Sequence, residues 1–322
     1  MYLRLLNDFD AEAALQIGPS SIRRFSTQES DWLASELRRG NPFIRVYGAY
    51  ASAAPAFAGR TVLECRNGTT EAVSTRSIAD RVLRLAFAAT TLWIDRARLH
   101  QRFSIAAVPA EATDLFIGPG LRVSARMQRV SAPRPMVIDR PFVARFRRYG
   151  FARLASQLVQ PQGFAFDKVD RALVWLTESR LDRHSDAALV KIAIGLEALF
   201  VSQGEPKSAT ISTRLGSLLG RTAEQRETLT RYTARLYEAR NAVVHEGRGP
   251  ARISPAVLDV AGKLLVLSAL GFAFHSTVLS DRQATKRWFQ ALLPSARPPP
   301  LPFGNHVVGR LVARTRSGEG RR

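Results

Sequence analysis

The segment from Leu236 to His245 carries three side chains that could act together on a phosphodiester. An arginine, an amide and a histidine stand there within six residues, as Arg240, Asn241 and His245. A guanidinium can hold a phosphate through paired hydrogen bonds, and an imidazole can donate or accept a proton near neutral pH. These residue types therefore indicate proton transfer on a bound phosphodiester.

One amphipathic helix is expected to position the three side chains. Residues 222–245 contain no Gly or Pro, which favours helix, and Gly and Pro follow directly. Arg240 lies near the centre of the stripe formed by Leu229, Tyr232, Leu236 and Val243. An arginine on such a core-facing stripe needs an anionic partner or a phosphate. Asn241 and His245 share another face, at the negative end of the helix dipole, which favours a protonated imidazole.

The spacing of Arg240 and His245 has little weight by itself. Only five of the 47 basic residues are lysine, so arginine is frequent, and about two such Arg-to-His spacings are expected by chance. Segments upstream give the motif its context. They are Arg171-Ala-Leu-Val-Trp-Leu, Val190-Lys-Ile-Ala-Ile-Gly-Leu-Glu-Ala-Leu-Phe200 and Ile211-Ser-Thr-Arg-Leu-Gly-Ser-Leu-Leu219.

Followed by Leu236-Tyr-Glu-Ala-Arg-Asn-Ala-Val-Val-His245, these segments resemble the HEPN superfamily, and most closely its ApeA-like branch. The resemblance covers roughly residues 165–275. It implies a helical bundle of a kind that often pairs with a second copy. It also implies the activity of many members, which are metal-independent ribonucleases of toxin or anti-phage systems.

The resemblance assigns roles to individual residues. Arg240 and His245 would be the catalytic pair of the family's R-x(4–6)-H motif, and Asn241 would be the polar residue that commonly follows the arginine. Members of the branch often have Gly after the histidine, whereas this chain has Glu246. That acid could tune His245 or weaken RNA binding.

Two further residues are expected to support the site. Glu197 is a lone acid on an apolar helix and needs a partner, for which Arg240 is the natural candidate. Tyr237 lies one turn before Asn241 and could line the same cleft or simply pack. The alternative for Glu197 and Arg240 is a buried ion pair that only holds the bundle together.

The net charge of +20 points to a polyanionic partner, with RNA the leading candidate. The excess of positive charge is +9 in residues 1–150, +6 in residues 151–290 and +5 in residues 291–322. A GC-rich coding bias would also produce an arginine-rich, alanine-rich chain without any selection for binding. Both explanations remain open on composition.

The densest basic stretch is residues 122–148. The arginines proposed to contact RNA are Arg122, Arg126, Arg129, Arg145, Arg147 and Arg148. Phe142, Phe146 and Tyr149 are interleaved with them and could stack on bases. Their helical spacing favours inward packing instead, with the arginines outside.

The chain divides into three predicted parts. Residues 1–150 are predicted to be an α+β domain, with short strands at 43–47, 61–65, 103–108 and 121–127. The capping box Ser26-Thr-Gln-Glu29 predicts a short helix that stops at Gly40, and residues 77–94 have the spacing of a second helix. Residues 151–290 are predicted to be an all-α, HEPN-like bundle with helices at 167–181, 187–202, 207–220, 222–246 and 254–280. Residues 291–322, rich in Pro and Arg, are predicted to be an extended, disordered tail.

Other classes of site lack support in the sequence. The single cysteine, Cys65, leaves no disulfide framework and no cysteine-based zinc site, and neither a metal nor a cofactor is expected. The N-terminus lacks the apolar run of a signal peptide, and the most apolar segment, residues 264–274, is too short to span a bilayer. A soluble, cytoplasmic protein with no membrane partner is therefore predicted.

Three functions remain in order of preference. The first is a HEPN-type endoribonuclease that acts as a homodimer, with the N-terminal part selecting RNA or sensing a regulatory protein or phage trigger. The second is a non-catalytic HEPN module that binds RNA or a protein partner. The third is an architectural helical protein whose charge reflects base composition alone.

Overall fold

A computed structural model describes most of the chain. The described residues are 2–6, 9–40, 57–65, 72–93, 109–117, 123–131, 136–159, 163–182, 184–246, 253–293 and 298–319. Contacts within the chain divide it into two compact units. The first consists of Met1–Leu83 and Leu99–Arg147, and the second of Arg84–Arg98 and Arg148–Arg322.

Strands and three helices make up the described part of residues 1–150. The strands are β1 Tyr2–Leu5, β2 Phe9–Ala11, β3 Leu15–Ile17, β4 Ser20–Arg24, β5 Thr61–Cys65, β6 Pro109–Ile117, β7 Val123–Ser131 and β8 Met136–Ile138. The helices are α1 Thr27–Gly40, α2 Ala72–Trp93 and α3 Arg140–Arg148. The predicted α+β character of this region is confirmed.

Six of these strands form one antiparallel sheet in the order β3-β4-β5-β1-β6-β7, while β2 pairs in parallel with β8. Leu15 and Ile17 are buried on either side of the exposed Gln16, as expected for a strand with one face on a core. The strand predicted at 61–65 is β5, and the one predicted at 121–127 overlaps β7. The strands predicted at 43–47 and 103–108 lie outside the described residues.

Helix α1 begins with a reciprocal capping box. The Glu29 backbone N–H donates to Ser26 Oγ at 3.1 Å, and the Ser26 backbone N–H donates to Glu29 Oε2 at 2.9 Å. Arg23 also contacts the carboxylate, at 2.7 Å, and lowers the pKa of Glu29 to about 2. The sequence Ser26-Thr-Gln-Glu29 predicts this start.

Eight helices are described from residue 151 onward. They are α4 Phe151–Val159, α5 Phe164–Leu181, α6 Ser185–Phe200, α7 Lys207–Leu219, α8 Ala223–Glu246, α9 Pro255–Phe274, α10 Arg282–Leu292 and α11 Asn305–Glu319. The five helices predicted from sequence are present with ends shifted by a few residues, except that the last ends at Phe274. A helical region after a small sheet is thus confirmed, while the HEPN assignment stays a prediction.

Helix α9 is the centre of this bundle. It is buried on every side between Leu258 and Ala273 and packs against α5, α6 and α7. Its length and apolar composition would allow it to cross a membrane, but 89% of its apolar window is buried inside the protein. Phe200, Phe272 and Phe289 meet edge-on or tilted, with ring centroids 5.3–5.9 Å apart, and join α6, α9 and α10.

Two cations satisfy the carbonyl groups at the end of α6, where an α-helix leaves its last carbonyls without partners. Lys168 Nζ donates at 3.0–3.3 Å to the carbonyl oxygens of Ala198, Leu199 and Val201. Arg214 donates to the carbonyl of Phe200 and pairs with both oxygens of Glu205. These bonds fix the last turn of α6, which carries Glu197.

The prediction of a disordered tail is wrong for residues 298–319. Helix α11 buries Val308, Leu311, Val312 and Thr315 at helical spacing and packs against α8 and α9. On its other side, Arg314 lies 3.5 Å from Asp259 of α9. This apolar stripe gives the segment enough surface to bury, although its overall composition is dominated by Pro and Arg.

The proline run before α11 is also held in place. Arg221 donates to the carbonyl of Pro299, and His275 Nε2 lies 2.8 Å from the carbonyl oxygen of Pro300. Proline lacks an N–H but keeps its carbonyl acceptor, so these two side chains can bind the run through consecutive residues.

Candidate functional site

The candidate site lies where the last turns of α6 and α8 meet in the second unit. Arg240 Nη2 is 3.5 Å from Glu197 Oε1, and both side chains are largely buried, with 13% and 15% of their surface exposed. The anionic partner expected for Arg240 from its place on an apolar stripe is therefore present, and it is the expected residue.

Glu197 also binds two other groups. The Tyr237 hydroxyl donates to Oε1, and Lys207 Nζ lies 2.7 Å from Oε2. Burial and the neighbouring carboxylate raise the pKa of Tyr237. The phenol therefore stays protonated and acts as a donor to Glu197, which excludes it as a general base at neutral pH.

The Arg240 guanidinium is oriented on several sides. Nη1 donates to Asn241 Oδ1 at 3.1 Å, and the guanidinium carbon lies 5.4 Å from the centre of the Tyr237 ring. Nε is buried and makes no hydrogen bond with any residue that the structure describes. The side chain is thus positioned by its neighbours, and its unpaired donor is buried away from solvent.

His245 lies in the last turn of α8 and is exposed to solvent, as is Val244 beside it. It follows Arg240 by five residues, which is roughly 7.5 Å along a helix axis. Glu197 contacts Tyr237 and Arg240, and Asn241 contacts Arg240, whereas His245 makes no hydrogen bond or ion pair with any of these four described residues. Glu246 is the last residue of α8.

The charges of the three side chains in contact at Glu197 do not cancel. Arg240 and Lys207 supply two positive charges around the single carboxylate of Glu197. The arrangement can therefore attract an anion, with the exposed imidazole of His245 available to move a proton. Lys207 does not belong to the sequence motif. The one signal for it in the sequence is that it is one of only five lysines in an arginine-rich chain.

The arginines proposed to contact RNA fall into two groups. Arg122 lies outside the described residues, and the register of the sheet places Arg126 opposite Asp114 and Arg129 opposite Glu111. Each of these two arginines thus has an acidic residue as its register partner in the neighbouring strand.

The second group lies on α3. Phe142 and Phe146 are buried and stack with centroids 6.4 Å apart, so the inward packing favoured from their spacing is confirmed. Arg145, Arg147 and Arg148 are exposed, and Arg145 also donates to the Pro141 carbonyl oxygen. This helix face could contact a polyanion through charge but not through base stacking on its phenylalanines.

Among the residues that the structure describes, no group of three or more His, Cys, Asp or Glu side chains is placed to hold a metal ion. Comparison of the chain with protein-family models, with curated proteins and with solved structures found no match.

Proposed function

We propose that this protein is a metal-independent endoribonuclease of HEPN type, acting as a cytoplasmic homodimer. The observation on which the proposal rests is the Arg240 guanidinium, held by Glu197 and Asn241 five residues before an exposed His245. Cleavage of a phosphodiester requires a positioned cation and an accessible proton carrier.

In the proposed reaction, the RNA 2′-hydroxyl oxygen attacks the adjacent phosphorus atom. Arg240 binds the non-bridging oxygens and stabilises the negative charge that grows on them. The bond from phosphorus to the 5′-oxygen breaks, and an imidazolium at His245 gives its proton to that leaving oxygen. The products are a 2′,3′-cyclic phosphate and a 5′-hydroxyl, and no metal or water is consumed.

A homodimer would supply the group that removes the 2′-hydroxyl proton. One α8 offers a single imidazole, whereas two copies related by a two-fold axis bring two, one as base and one as acid. The first unit, with the exposed arginines of α3, would select the RNA or respond to a regulatory protein or phage component. Such an enzyme would act in a toxin or anti-phage system.

A second candidate function is a non-catalytic HEPN module that binds RNA or a protein. It is favoured by the contacts that Arg240 already makes, with Glu197, Asn241 and the Tyr237 ring. In that case the guanidinium acts within the bundle as a structural ion pair.

Expression in a bacterial host separates the two functions. Wild type is expected to arrest growth and His245→Ala to relieve the arrest, since His245 is the proposed proton carrier. His306→Ala is the matched control, because His306 is also an exposed histidine of the second unit, near the start of α11. Equal arrest by wild type and His245→Ala would contradict the nuclease and favour the binding module.

A further inference from the structure

We infer that Lys207 is a second phosphate-binding residue, so that the site holds two neighbouring phosphates of one RNA strand. The inference rests on the proposed function for the identity of the ligand. Lys207 Nζ lies 2.7 Å from Glu197 Oε2, while Arg240 Nη2 lies 3.5 Å from Oε1 of the same carboxylate. One carboxylate therefore holds two cations side by side.

The two cations differ in access. The Arg240 side chain is 13% exposed, whereas the Lys207 side chain is 52% exposed at the first position of α7. Lys207 is therefore the more accessible of the two cations to an RNA strand in solvent. Because lysine carries three N–H donors on a long flexible stem, Lys207 can bind a phosphate with one donor while another stays on the carboxylate, without movement of the helix.

Glu197 has a positioning role in this arrangement. Because Lys207 lies 2.7 Å from Glu197 Oε2 and Arg240 lies 3.5 Å from Oε1, the two cations share the carboxylate charge, and part of the positive charge of Arg240 stays available to a phosphate. Removal of Lys207 would leave the whole carboxylate charge to Arg240. Lys207 thus contributes directly, as a phosphate ligand, and indirectly, by offsetting Glu197.

Another lysine of the same unit shows the contrast. Lys191 Nζ lies 2.9 Å from Asp182 and 3.8 Å from Glu178, so two acids surround one cation there. At Lys207 the ratio is reversed, with two cations on one acid. Lys191 is therefore the matched control for a change that removes one paired lysine from the second unit.

The test uses the full chain and a single-stranded 2′-O-methyl RNA oligonucleotide, which cannot be cleaved by 2′-hydroxyl attack. Its affinity is measured by fluorescence anisotropy from 50 mM to 1 M NaCl. Lys207→Ala is expected to bind about fivefold to tenfold more weakly at 50 mM, to converge on wild type near 1 M, and to lower the salt slope by about 0.7. Lys191→Ala is expected to leave both quantities unchanged.

Two further variants separate phosphate binding from bundle packing. Lys207→Arg is expected to restore the salt slope, since it keeps the charge. Glu197→Gln is expected to bind the oligonucleotide at least as tightly as wild type but to cleave unmodified RNA with a lower kcat, because Arg240 loses its anionic partner. Circular dichroism melting verifies the fold, and Lys207→Gln replaces Lys207→Ala if alanine at the helix start unfolds the protein.

The outcomes are distinguishable from failure of the nuclease itself. A salt slope for Lys207→Ala equal to that of Lys191→Ala would overturn the role of Lys207, whether or not wild type cleaves RNA. If Glu197→Gln bound the oligonucleotide as weakly as Lys207→Ala does, the role of Lys207 would also be overturned. The ion pair between Lys207 and Glu197 would then act only on the packing of the bundle. A lower slope for Lys207→Ala with no cleavage by wild type would support the binding role and reject the nuclease.

Discussion

The Tyr237 hydroxyl donates a hydrogen bond to the Glu197 carboxylate and thereby ties α8 to the last turn of α6. The same carboxylate oxygen faces Arg240, and the Tyr237 ring lies beside the Arg240 guanidinium. One tyrosine therefore fixes both members of the ion pair. The position of Arg240 therefore depends on Tyr237 as well as on the ion pair with Glu197.

Tyr237→Phe tests that dependence. The substitution keeps the buried ring but removes the donor to a charged acceptor, which is expected to cost about 1–2 kcal/mol in free energy of unfolding. The change in free energy of unfolding is measured by urea denaturation at pH 7. No loss of stability would show that the hydrogen bond does not contribute.

The same variant has a pH signature. The pKa of Tyr237 is raised above its ordinary value of 10 in the folded state, so its contribution is complete below pH 10 and is lost as pH rises beyond that value. The stability difference between wild type and Tyr237→Phe is therefore expected to be constant from pH 7 to 9 and to shrink above pH 10. A difference that grows with pH would contradict the assignment.

Lys168 gives an opposite pH dependence. Burial and the nearby Arg214 lower its pKa to about 8, from an ordinary 10.5. Below pH 8 both folded and unfolded chains hold the proton, whereas above it the unfolded chain retains a proton that the folded chain has lost. The free energy of unfolding is therefore expected to rise by about 1 kcal/mol between pH 8 and 9.

Lys168→Met is expected to abolish this rise and to lower stability at pH 7 by roughly 1–3 kcal/mol, because three carbonyl groups at the end of α6 lose their donor. Lys191→Met is the control and should keep the rise. The interval ends at pH 9 because the pKa of Cys65 is raised from 9 to about 11, which lowers stability at higher pH. A persistent rise in Lys168→Met would assign it to another group.

Gly216 tests the close approach of α7 to α8, the helices that carry Lys207 and Arg240. A Cβ at Gly216 would lie 2.9 Å from the backbone oxygen of Arg226, so the two helices would have to separate. Gly216→Ala is expected to lower the free energy of unfolding by roughly 1–3 kcal/mol.

The control is Gly309→Ala in α11, where the added methyl group would meet no atom of the described residues within 4 Å outside the backbone of its own helix. Alanine is the better helix former there and is expected to raise stability by up to about 1 kcal/mol. Thermal melting of both variants measures the difference. Equal effects at the two positions would show that α7 and α8 are not closely packed.

The helices that carry the site could be predicted because their breaks are local. Glycine and proline separate the predicted segments, and an uninterrupted run of good helix formers gives α8. The ion pair between Glu197 and Arg240 could also be predicted, because a buried charge on an apolar stripe needs an opposite charge and few acidic residues lie on the other apolar helices. Both inferences follow from physical requirements of single elements.

Contacts between distant segments could not be predicted in this way. Lys207 belongs to the site only because the start of α7 lies beside the last turn of α6, which depends on packing rather than pattern. The sheet register that sets Arg126 opposite Asp114 is equally non-local. The composition of the tail predicts disorder, whereas the helical spacing of its buried residues Val308 and Leu311 is the signal that predicts a packed helix.

The chemistry of the RNA ends produced by the purified protein tests the nuclease most directly. End-labelled RNA is incubated with excess EDTA, and the products are examined for 2′,3′-cyclic phosphate and 5′-hydroxyl ends. Wild type is expected to yield both, and Arg240→Ala and His245→Ala are expected to lose at least 100-fold in rate, the low end of what general acid–base catalysis supplies. Products with 3′-hydroxyl ends, cleavage abolished by EDTA, or an undiminished rate in His245→Ala would contradict the proposed site.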